Sequence, residues 1–206
     1  MSVGASQSTP GSGPAEPART LYSIGYGTRT IDEFVAALRR HQIEYVIDVR
    51  SSPYSRFRPE FSQAPLMSAL KQRGLRYVFM GDLLGGQPKD QNCYTDGKVD
   101  YEKVRTKTFF KAGLDRLKKA HEQPIRAALL CSEGRPEQCH RAKLIGEALA
   151  AMGIPISHID EDGQLCGQEE VIRRLTGGQL DLFGQPVFTS RKRYASGTDE
   201  ERKGLP

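Results

Sequence analysis

Long apolar runs are missing from this chain, and their absence removes several classes of protein from consideration. Of its 206 residues, 37% are hydrophobic, which is a low share for a globular protein. No stretch approaches the roughly 18 consecutive apolar residues of a membrane-spanning helix. The basic start and apolar run that mark a signal peptide are also missing. We therefore expect a cytoplasmic protein with no membrane partner.

Cysteine is scarce, and the four cysteines lack the paired spacing of a structural zinc site. They are Cys93, Cys131, Cys139 and Cys166, and in an intracellular protein we expect free thiols. An excess of one charge is also missing, because 30 Lys and Arg against 25 Asp and Glu leave a net charge of only +5. This balance permits a polyanionic partner without requiring one.

The two ends of the chain differ in composition from its middle. Residues 1–20 are rich in Ser, Gly, Pro and Ala, which predicts a disordered N-terminal arm. Residues 21–176 form the predicted domain. Residues 177–186 hold a short apolar peptide between glycines, and residues 187–206 are predicted to be a basic, disordered tail.

Strand-like and helical segments alternate in residues 21–176, which predicts an α/β fold. We expect a single domain with a mostly parallel sheet of about five strands flanked by helices. Thr30 and Glu33 have the spacing of a capping box at the start of the first helix. One helix is predicted from about Tyr101 to His121, and residues 81–98 are predicted to be a long polar loop.

Reactive side chains follow the carboxyl ends of the predicted strands. Ligands of parallel α/β proteins bind in the crevice beyond these ends, so we expect the site there. The candidate catalytic residues are Asp48, Cys131, Glu133 and His140. The candidate substrate- or anion-binding residues are Tyr26, Arg29, Arg50, Arg56, Arg58, Cys139, Arg141 and His158.

The stretch "CSEGRPEQCHR", residues 131–141, leads from a strand into a predicted helix. A helix N terminus binds anions and lowers the pKa of a nearby thiol. One interpretation is a thiolate at Cys131, with His140 as a proton carrier and Arg141 holding an oxyanion. The alternative is that Cys131 and Cys139 are small buried core residues.

Two thiol-enzyme patterns and a metal site fit this stretch poorly. A rhodanese-like sulfurtransferase would place an Arg five residues after the cysteine, where this chain has Pro136, and the phosphatase spacing of six reaches Glu137. A metal set of Cys131, Cys139, His140 and His158 matches no structural zinc spacing. In a helix the adjacent Cys139 and His140 would point to different faces, so we predict neither a metal nor a cofactor.

The stretch "DVRSSPYSRFRPEF", residues 48–61, interleaves arginines with aromatic residues. Arginine grips phosphate and aromatic faces stack on bases, so this composition favours a nucleotide or single-stranded nucleic acid. The alternative is a solvated loop whose aromatics fold back on the domain. Asp48 is either a general base or the partner that orients Arg50.

Taken in order, these segments resemble a bacterial and archaeal family known only as domain of unknown function 488. The resemblance is carried by residues 24–57, Leu84–Gly86, residues 129–141 and residues 158–163, and it covers roughly residues 21–175. It implies an α/β domain and no established reaction. It also singles out Tyr26, Asp48, Arg50, Cys131, Glu133, Cys139, His140, Arg141 and His158 as site positions.

The peptide "QLDLF", residues 179–183, resembles the sliding-clamp-binding motif of bacterial DNA polymerases, mismatch-repair proteins and replication regulators. That motif is Gln, Leu, Ser or Asp, Leu, Phe, and all five positions agree. The resemblance implies that Leu182 and Phe183 enter an apolar pocket of the clamp. The partner-binding residues are then Gln179, Leu180, Leu182 and Phe183. The alternative is a final strand or strap packed on the domain.

The sequence as a whole predicts a DNA-associated enzyme of DNA repair or replication, with its reaction left open. We expect it to act on a nucleotide or nucleic-acid substrate and to be tethered to the sliding clamp. Two alternatives stay open. One is a non-catalytic adaptor that binds nucleic acid and the clamp, and the other is a thiol-dependent, sulfurtransferase-like enzyme.

Overall fold

Strands and helices alternate along the chain, as the sequence predicts. The computed structural model describes residues 20–177 and 188–194. Its strands are β1 (Leu21–Gly25), β2 (Tyr45–Asp48), β3 (Arg76–Phe79), β4 (Tyr94–Thr95), β5 (Lys98–Val99), β6 (Ala127–Cys131), β7 (Ile156–Ile159) and β8 (Leu165–Gly167). Its helices are α1 (Ile31–Arg40), α2 (Gln63–Gln72), α3 (Gly81–Leu84), α4 (Tyr101–Thr106), α5 (Thr108–Glu122), α6 (Glu147–Ala151) and α7 (Gln168–Thr176).

The central sheet has six strands in the order β3-β2-β6-β1-β7-β8. The first five strands in this order run parallel, and β8 pairs antiparallel with β7. The predicted α/β domain with a mostly parallel sheet is therefore confirmed, with one strand more than expected. In the register, Gly25 lies beside Cys131 and Asp48 beside Leu130, so the carboxyl ends of β1, β2 and β6 meet.

Helices cover both faces of the sheet and bury two apolar cores. On one face, Phe34 and Leu38 of α1 and Leu66 of α2 pack on the sheet. On the other face, helices α3 to α6 pack around residues such as Phe110 and Leu144. Every residue of β6 is buried, as expected for a central strand covered on both sides.

The first helix begins as the sequence predicts. Thr30 Oγ1 accepts a hydrogen bond from the main-chain N–H of Glu33 at 3.2 Å, and the Glu33 carboxylate accepts one from the N–H of Thr30 at 2.7 Å. This reciprocal capping box is confirmed. It starts α1 shortly after the loop that leaves β1.

Two local predictions are wrong, and one strand lies where none was predicted. The helix expected from Tyr101 to His121 is two helices, because the backbone of Lys107 is extended and interrupts it. The side chain of Lys107 forms an ion pair with Asp90, with Nζ 2.6 Å from Oδ2. The expected long loop at residues 81–98 contains α3 and most of the β4–β5 hairpin. The short β8 was not expected, since three residues are too few for a periodic pattern.

The chain enters the helix after β6 in stages. A 3₁₀ turn at Pro136–Gln138 precedes a π-helical segment at Arg141–Gly146, which continues into α6. Between them, Cys139 has extended backbone, with φ −113° and ψ 149°. Within residues 20–177 and 188–194, no helix has the length and apolar character needed to cross a membrane.

Candidate functional site

A cleft of about 330 Å³ lies beyond the carboxyl ends of β1, β2, β3 and β6. Its position is that expected for the ligand site of a parallel α/β sheet. Six of the predicted site residues line it together: Tyr26, Arg50, Cys131, Glu133, Cys139 and His140. The cleft therefore unites residues from three separate loops of the sequence.

Two sulfurs and one imidazole meet at the base of this cleft. His140 Nδ1 lies 3.8 Å from Cys131 Sγ and 3.6 Å from Cys139 Sγ. All three side chains are buried, with at most 8% exposure. The prediction that Cys139 and His140 point to different helix faces is wrong, because Cys139 has extended backbone before the π-helical segment and its sulfur contacts the His140 ring. Cys131, Cys139 and His140 are called the thiol–imidazole centre below.

The His140 ring is held from its other side. Nε2 lies 3.1 Å from the carbonyl oxygen of Val49, just after β2. A carbonyl oxygen only accepts, so the imidazole N–H is at Nε2. Gly86 lies against the ring face, since a Cβ at this position would be 2.8 Å from His140 Cγ. Nδ1 is therefore left to face the two sulfurs.

Arg141 lies behind the centre and supports the loop that follows β6. Its guanidinium is fully buried and donates to the carbonyl oxygens of Glu133 and Gly134, the latter at 2.8 Å. Gly25 permits this arrangement, because a Cβ there would collide with the Glu133 carbonyl and with Arg141 Nη1. The main-chain N–H of Arg141 also donates to Cys139 Sγ at 3.5 Å. Arg141 thus positions the loop from outside the cleft lining.

The two thiols differ in acidity because of their surroundings. A hydrogen bond from Cys139 holds the pKa of the Cys131 thiol well below its usual range, and the charges of His140 and Arg141 act in the same direction. Burial raises the pKa of the Cys139 thiol, and its hydrogen bond with Cys131 raises it further. Cys131 is the sulfur that carries negative charge first.

Asp48 forms a buried ion pair rather than an open carboxylate. Its Oδ2 lies 2.6 Å from Arg50 Nη2 and accepts a hydrogen bond from the Tyr77 hydroxyl at 2.7 Å. Arg50 also donates to the Phe61 carbonyl at 2.9 Å. Of the two interpretations of Asp48, the contacts favour the partner that orients Arg50.

The remaining predicted arginines lie outside the cleft lining. Arg29 donates to the carbonyls of Gly25 and Glu161, at 2.7 and 2.9 Å, and lines a second cavity of about 340 Å³. Arg58 donates to the carbonyl of Thr28 at 3.1 Å. Arg56 lies over the ring of the exposed Phe57, 5.4 Å from its centroid.

His158 is not at the strand-end cleft. It lies within β7, fully buried, with Nδ1 2.6 Å from Ser23 Oγ and Nε2 2.7 Å from Gln168 Oε1. Burial lowers the pKa of this imidazole to about 4. His158 joins β1, β7 and α7 in the interior of the domain.

Several lining residues were not predicted from the sequence. Residues 188–194, inside the segment predicted to be a tail, pack beside the cleft, and Arg191 lies 3.0 Å from Glu133 Oε2. No local pattern in a polar segment signals such a contact. The unpredicted lining residues include Gly86, Tyr101, Gln138, Ser190, Arg191 and Lys192.

A family model matches residues 30–148, more than half of the chain. Its description is "Domain of unknown function DUF488". The chain belongs to the DUF488 family. The match includes the whole thiol–imidazole centre and the loop after β2, so the cleft is built largely from the DUF488 domain. Searches of curated proteins and of solved structures return no match.

Proposed function

We propose that this DUF488 protein is an enzyme that binds a nucleotide or nucleic-acid substrate in the strand-end cleft and transforms it at the thiol–imidazole centre. The observation that carries the proposal is the combination of two features in one cleft. The buried centre supplies the reactive groups, and Tyr54, which is 71% exposed, stands at the same opening.

The loop after β2 has the composition and exposure of a base-stacking surface. Tyr54 and Phe57 are 71% and 85% exposed, which is unusual for large aromatic side chains. Arg56 stacks over Phe57, and the cations Arg191 and Lys192 line the neighbouring side of the cleft. Exposed rings stack on bases while these cations attract phosphate.

Binding of single-stranded DNA, RNA and nucleotides by fluorescence anisotropy tests the substrate class. Base stacking contributes about 1–3 kcal/mol per base, so Tyr54→Ala and Phe57→Ala should each weaken binding roughly tenfold. Leu165→Ala is the matched control, because Leu165 is a half-exposed apolar residue on β8, away from the cleft. If all three variants bind as wild type does, the proposed stacking surface is wrong.

Turnover separates an enzyme from an adaptor. We expect Cys131→Ser and His140→Gln to abolish product formation while leaving substrate affinity within a few-fold of wild type. A protein that binds nucleic acid tightly but converts no nucleotide, single-stranded or modified DNA substrate would instead be the non-catalytic adaptor.

A thiol-dependent, sulfurtransferase-like enzyme is the second candidate. The contact that favours it is the 3.8 Å approach of His140 Nδ1 to Cys131 Sγ, the arrangement of a nucleophile beside a base. In that case Cys131 reacts rapidly with iodoacetamide at neutral pH, and Cys139→Ser retains activity. Slow alkylation of the native protein would exclude this candidate.

A tether to the DNA polymerase sliding clamp is part of the proposal and rests on the sequence of Gln179–Phe183, which lies outside the described residues. The described chain ends beyond α7 at Gly177 and resumes at Phe188, which packs in the core. Burial of Leu182 and Phe183 in a clamp pocket would contribute several kcal/mol before ordering costs, giving micromolar binding.

Surface plasmon resonance against the clamp tests the tether. The double variant Leu182→Ala, Phe183→Ala should lose binding, and Ser196→Ala, in the tail, should retain it. Equal binding by the double variant and wild type, or no binding by either, would remove the link to replication and repair.

A further inference from the structure

Three potential metal ligands converge at the base of the cleft. Cys131 Sγ, Cys139 Sγ and a ring nitrogen of His140 all lie within 4.8 Å of one another, in buried side chains. We infer that the protein binds one zinc ion at Cys131 Sγ, Cys139 Sγ and His140 Nδ1, with a fourth coordination position open to the cleft.

The distances agree with tetrahedral coordination. Zinc bonds of about 2.3 Å to sulfur and about 2.05 Å to nitrogen, at the tetrahedral angle, separate the two ligand atoms by about 3.6 Å. His140 Nδ1 lies 3.6 Å from Cys139 Sγ and 3.8 Å from Cys131 Sγ. Both nitrogen–sulfur distances therefore match bonds to one tetrahedral ion, and the two sulfurs lie within 4.8 Å of each other.

The surroundings of His140 are those of a metal-bound histidine. Such a histidine commonly donates its second ring N–H to a carbonyl or carboxylate, which fixes the tautomer and the ring plane. His140 Nε2 has this partner in the Val49 carbonyl at 3.1 Å, and Gly86 packs against the ring. The coordinating nitrogen is thus already directed at the two sulfurs.

Charge balance also favours a divalent cation. Two thiolates hold the ion and neutralise the charge of Zn²⁺, and any thiol proton still present is released to solvent on binding. His140 binds in its neutral form and keeps its Nε2 proton. The main-chain N–H of Arg141 donates to Cys139 Sγ at 3.5 Å, which stabilises a thiolate there. Thiolate sulfur with imidazole in tetrahedral geometry selects zinc over magnesium or calcium.

The open fourth position connects the metal with the cleft. All three ligand residues line the cleft, so a water or a substrate oxygen can reach the ion from the cleft. Three protein ligands and one exchangeable position are typical of catalytic rather than structural zinc. This role rests on the proposed enzyme function, whereas the metal site itself does not.

Metal content of the full-length protein tests the inference directly. Protein expressed with zinc and dialysed against metal-free buffer should retain about one zinc per chain by inductively coupled plasma mass spectrometry. Reconstitution with Co²⁺ should produce thiolate-to-cobalt charge-transfer bands and the intense visible bands of tetrahedral cobalt. Wild-type protein that retains no zinc and shows no charge-transfer band would overturn the site.

Variants identify the ligands. Cys131→Ser, Cys139→Ser and His140→Gln should each lower zinc affinity at least 100-fold and change the cobalt spectrum. Cys93→Ser and Cys166→Ser are matched controls, because these two cysteines are also buried but lie outside the cleft lining. Both control variants should bind zinc with the affinity of the wild-type protein. Wild-type zinc affinity in a Cys139→Ser variant that circular dichroism shows to be folded would contradict the three-ligand site.

Separate readouts distinguish this inference from the proposed function. Zinc content and cobalt spectra need no substrate, so a metal-loaded protein that binds no nucleotide or nucleic acid supports the site and contradicts the proposed function. The reverse result, nucleic-acid binding without metal, contradicts the site alone. Zinc should also protect Cys131 from iodoacetamide, whereas the thiol-enzyme candidate requires this cysteine to be reactive.

Discussion

The Nε2 atom of His140 lies 3.1 Å from the carbonyl oxygen of Val49, and this contact determines what the other ring nitrogen can do. Val49 follows β2, whereas His140 follows β6, so the hydrogen bond ties together the ends of two neighbouring strands. It leaves Nδ1 without a proton in the neutral ring and directed at Cys131 and Cys139. The orientation of His140 is therefore set by the main chain of another loop.

Substitution of Gly86 should disturb the centre without changing any ligand. In Gly86→Ala the new Cβ would lie 2.8 Å from His140 Cγ, so the ring must shift. Loss of ligand orientation lowers metal affinity by about 10–100-fold. Competition with a zinc chelator measures this change. Gly167→Ala is the control, because a Cβ there meets nothing within 4 Å. Equal zinc affinity in both variants would show that Gly86 does not position His140.

Asp48→Asn should destabilise the fold. Asp48 is fully buried and Arg50 is 5% exposed, so removal of the carboxylate charge leaves a buried guanidinium without its counter-ion. Loss of one partner of a buried pair costs about 3–5 kcal/mol, measured as the free energy of unfolding in urea. Asp32→Asn breaks a pair whose carboxylate is 81% exposed and should cost about 1 kcal/mol or less. A stable Asp48→Asn variant without activity would instead restore the general-base interpretation.

Acid should destabilise the protein through His158. Burial lowers the pKa of this imidazole from 6.5 to about 4, so it stays neutral in the folded state over a range where the unfolded chain is protonated. The unfolded state binds more protons in this range, so the free energy of unfolding falls as the pH falls from about 6.5 to 4, by up to roughly 3 kcal/mol.

Urea unfolding across that pH range checks the effect. His158→Gln removes the titrating group, so the free energy of unfolding of this variant should depend less on pH than that of wild type. The substitution can also change the free energy of unfolding at every pH by altering packing, and the slope with pH is the quantity to compare. His41→Gln, at a partly exposed histidine, should keep the wild-type slope. Parallel pH profiles for His158→Gln and wild type would exclude His158 as the cause.

Arg141→Lys should weaken the support of the loop after β6. The Arg141 guanidinium donates hydrogen bonds to the carbonyls of Glu133 and Gly134 at the same time, and a lysine ammonium lacks this forked geometry. Loss of one charged hydrogen bond costs about 1.5–3 kcal/mol of unfolding free energy. Arg135→Lys, on a side chain that is 59% exposed, should change stability by less than about 1 kcal/mol. Similar stabilities of the two variants would contradict this role.

The strand-end location of the cleft and six of its lining residues could be predicted from the sequence. Tyr26 directly follows β1 and Cys131 ends β6, and both strands have a visible apolar pattern; parallel strands bring their carboxyl ends to one edge. The capping box of α1 could also be predicted, because it depends only on two residues three positions apart in the sequence. These features follow from short-range pattern and simple sheet geometry.

The convergence of Cys139 and His140 could not be predicted in this way. The expectation from helical periodicity does not apply, because Cys139 lies between the 3₁₀ turn and the π-helical segment rather than inside a regular helix. His158 also lies near a strand end, a position that the sequence alone does not distinguish from the cleft. Its contacts with Ser23 and Gln168 keep it inside the domain.

Local patterns in the sequence are enough to predict the alternation of strands and helices, the family, and the edge of the sheet where reactive residues collect. They are enough because apolar periodicity and capping are encoded within a few neighbouring residues. The folded chain is needed to see that two cysteines and a histidine share one centre, that Asp48 is paired with Arg50, and that residues 188–194 reach the cleft. These arrangements depend on packing and hydrogen bonds between segments far apart in the chain, such as Val49 with His140.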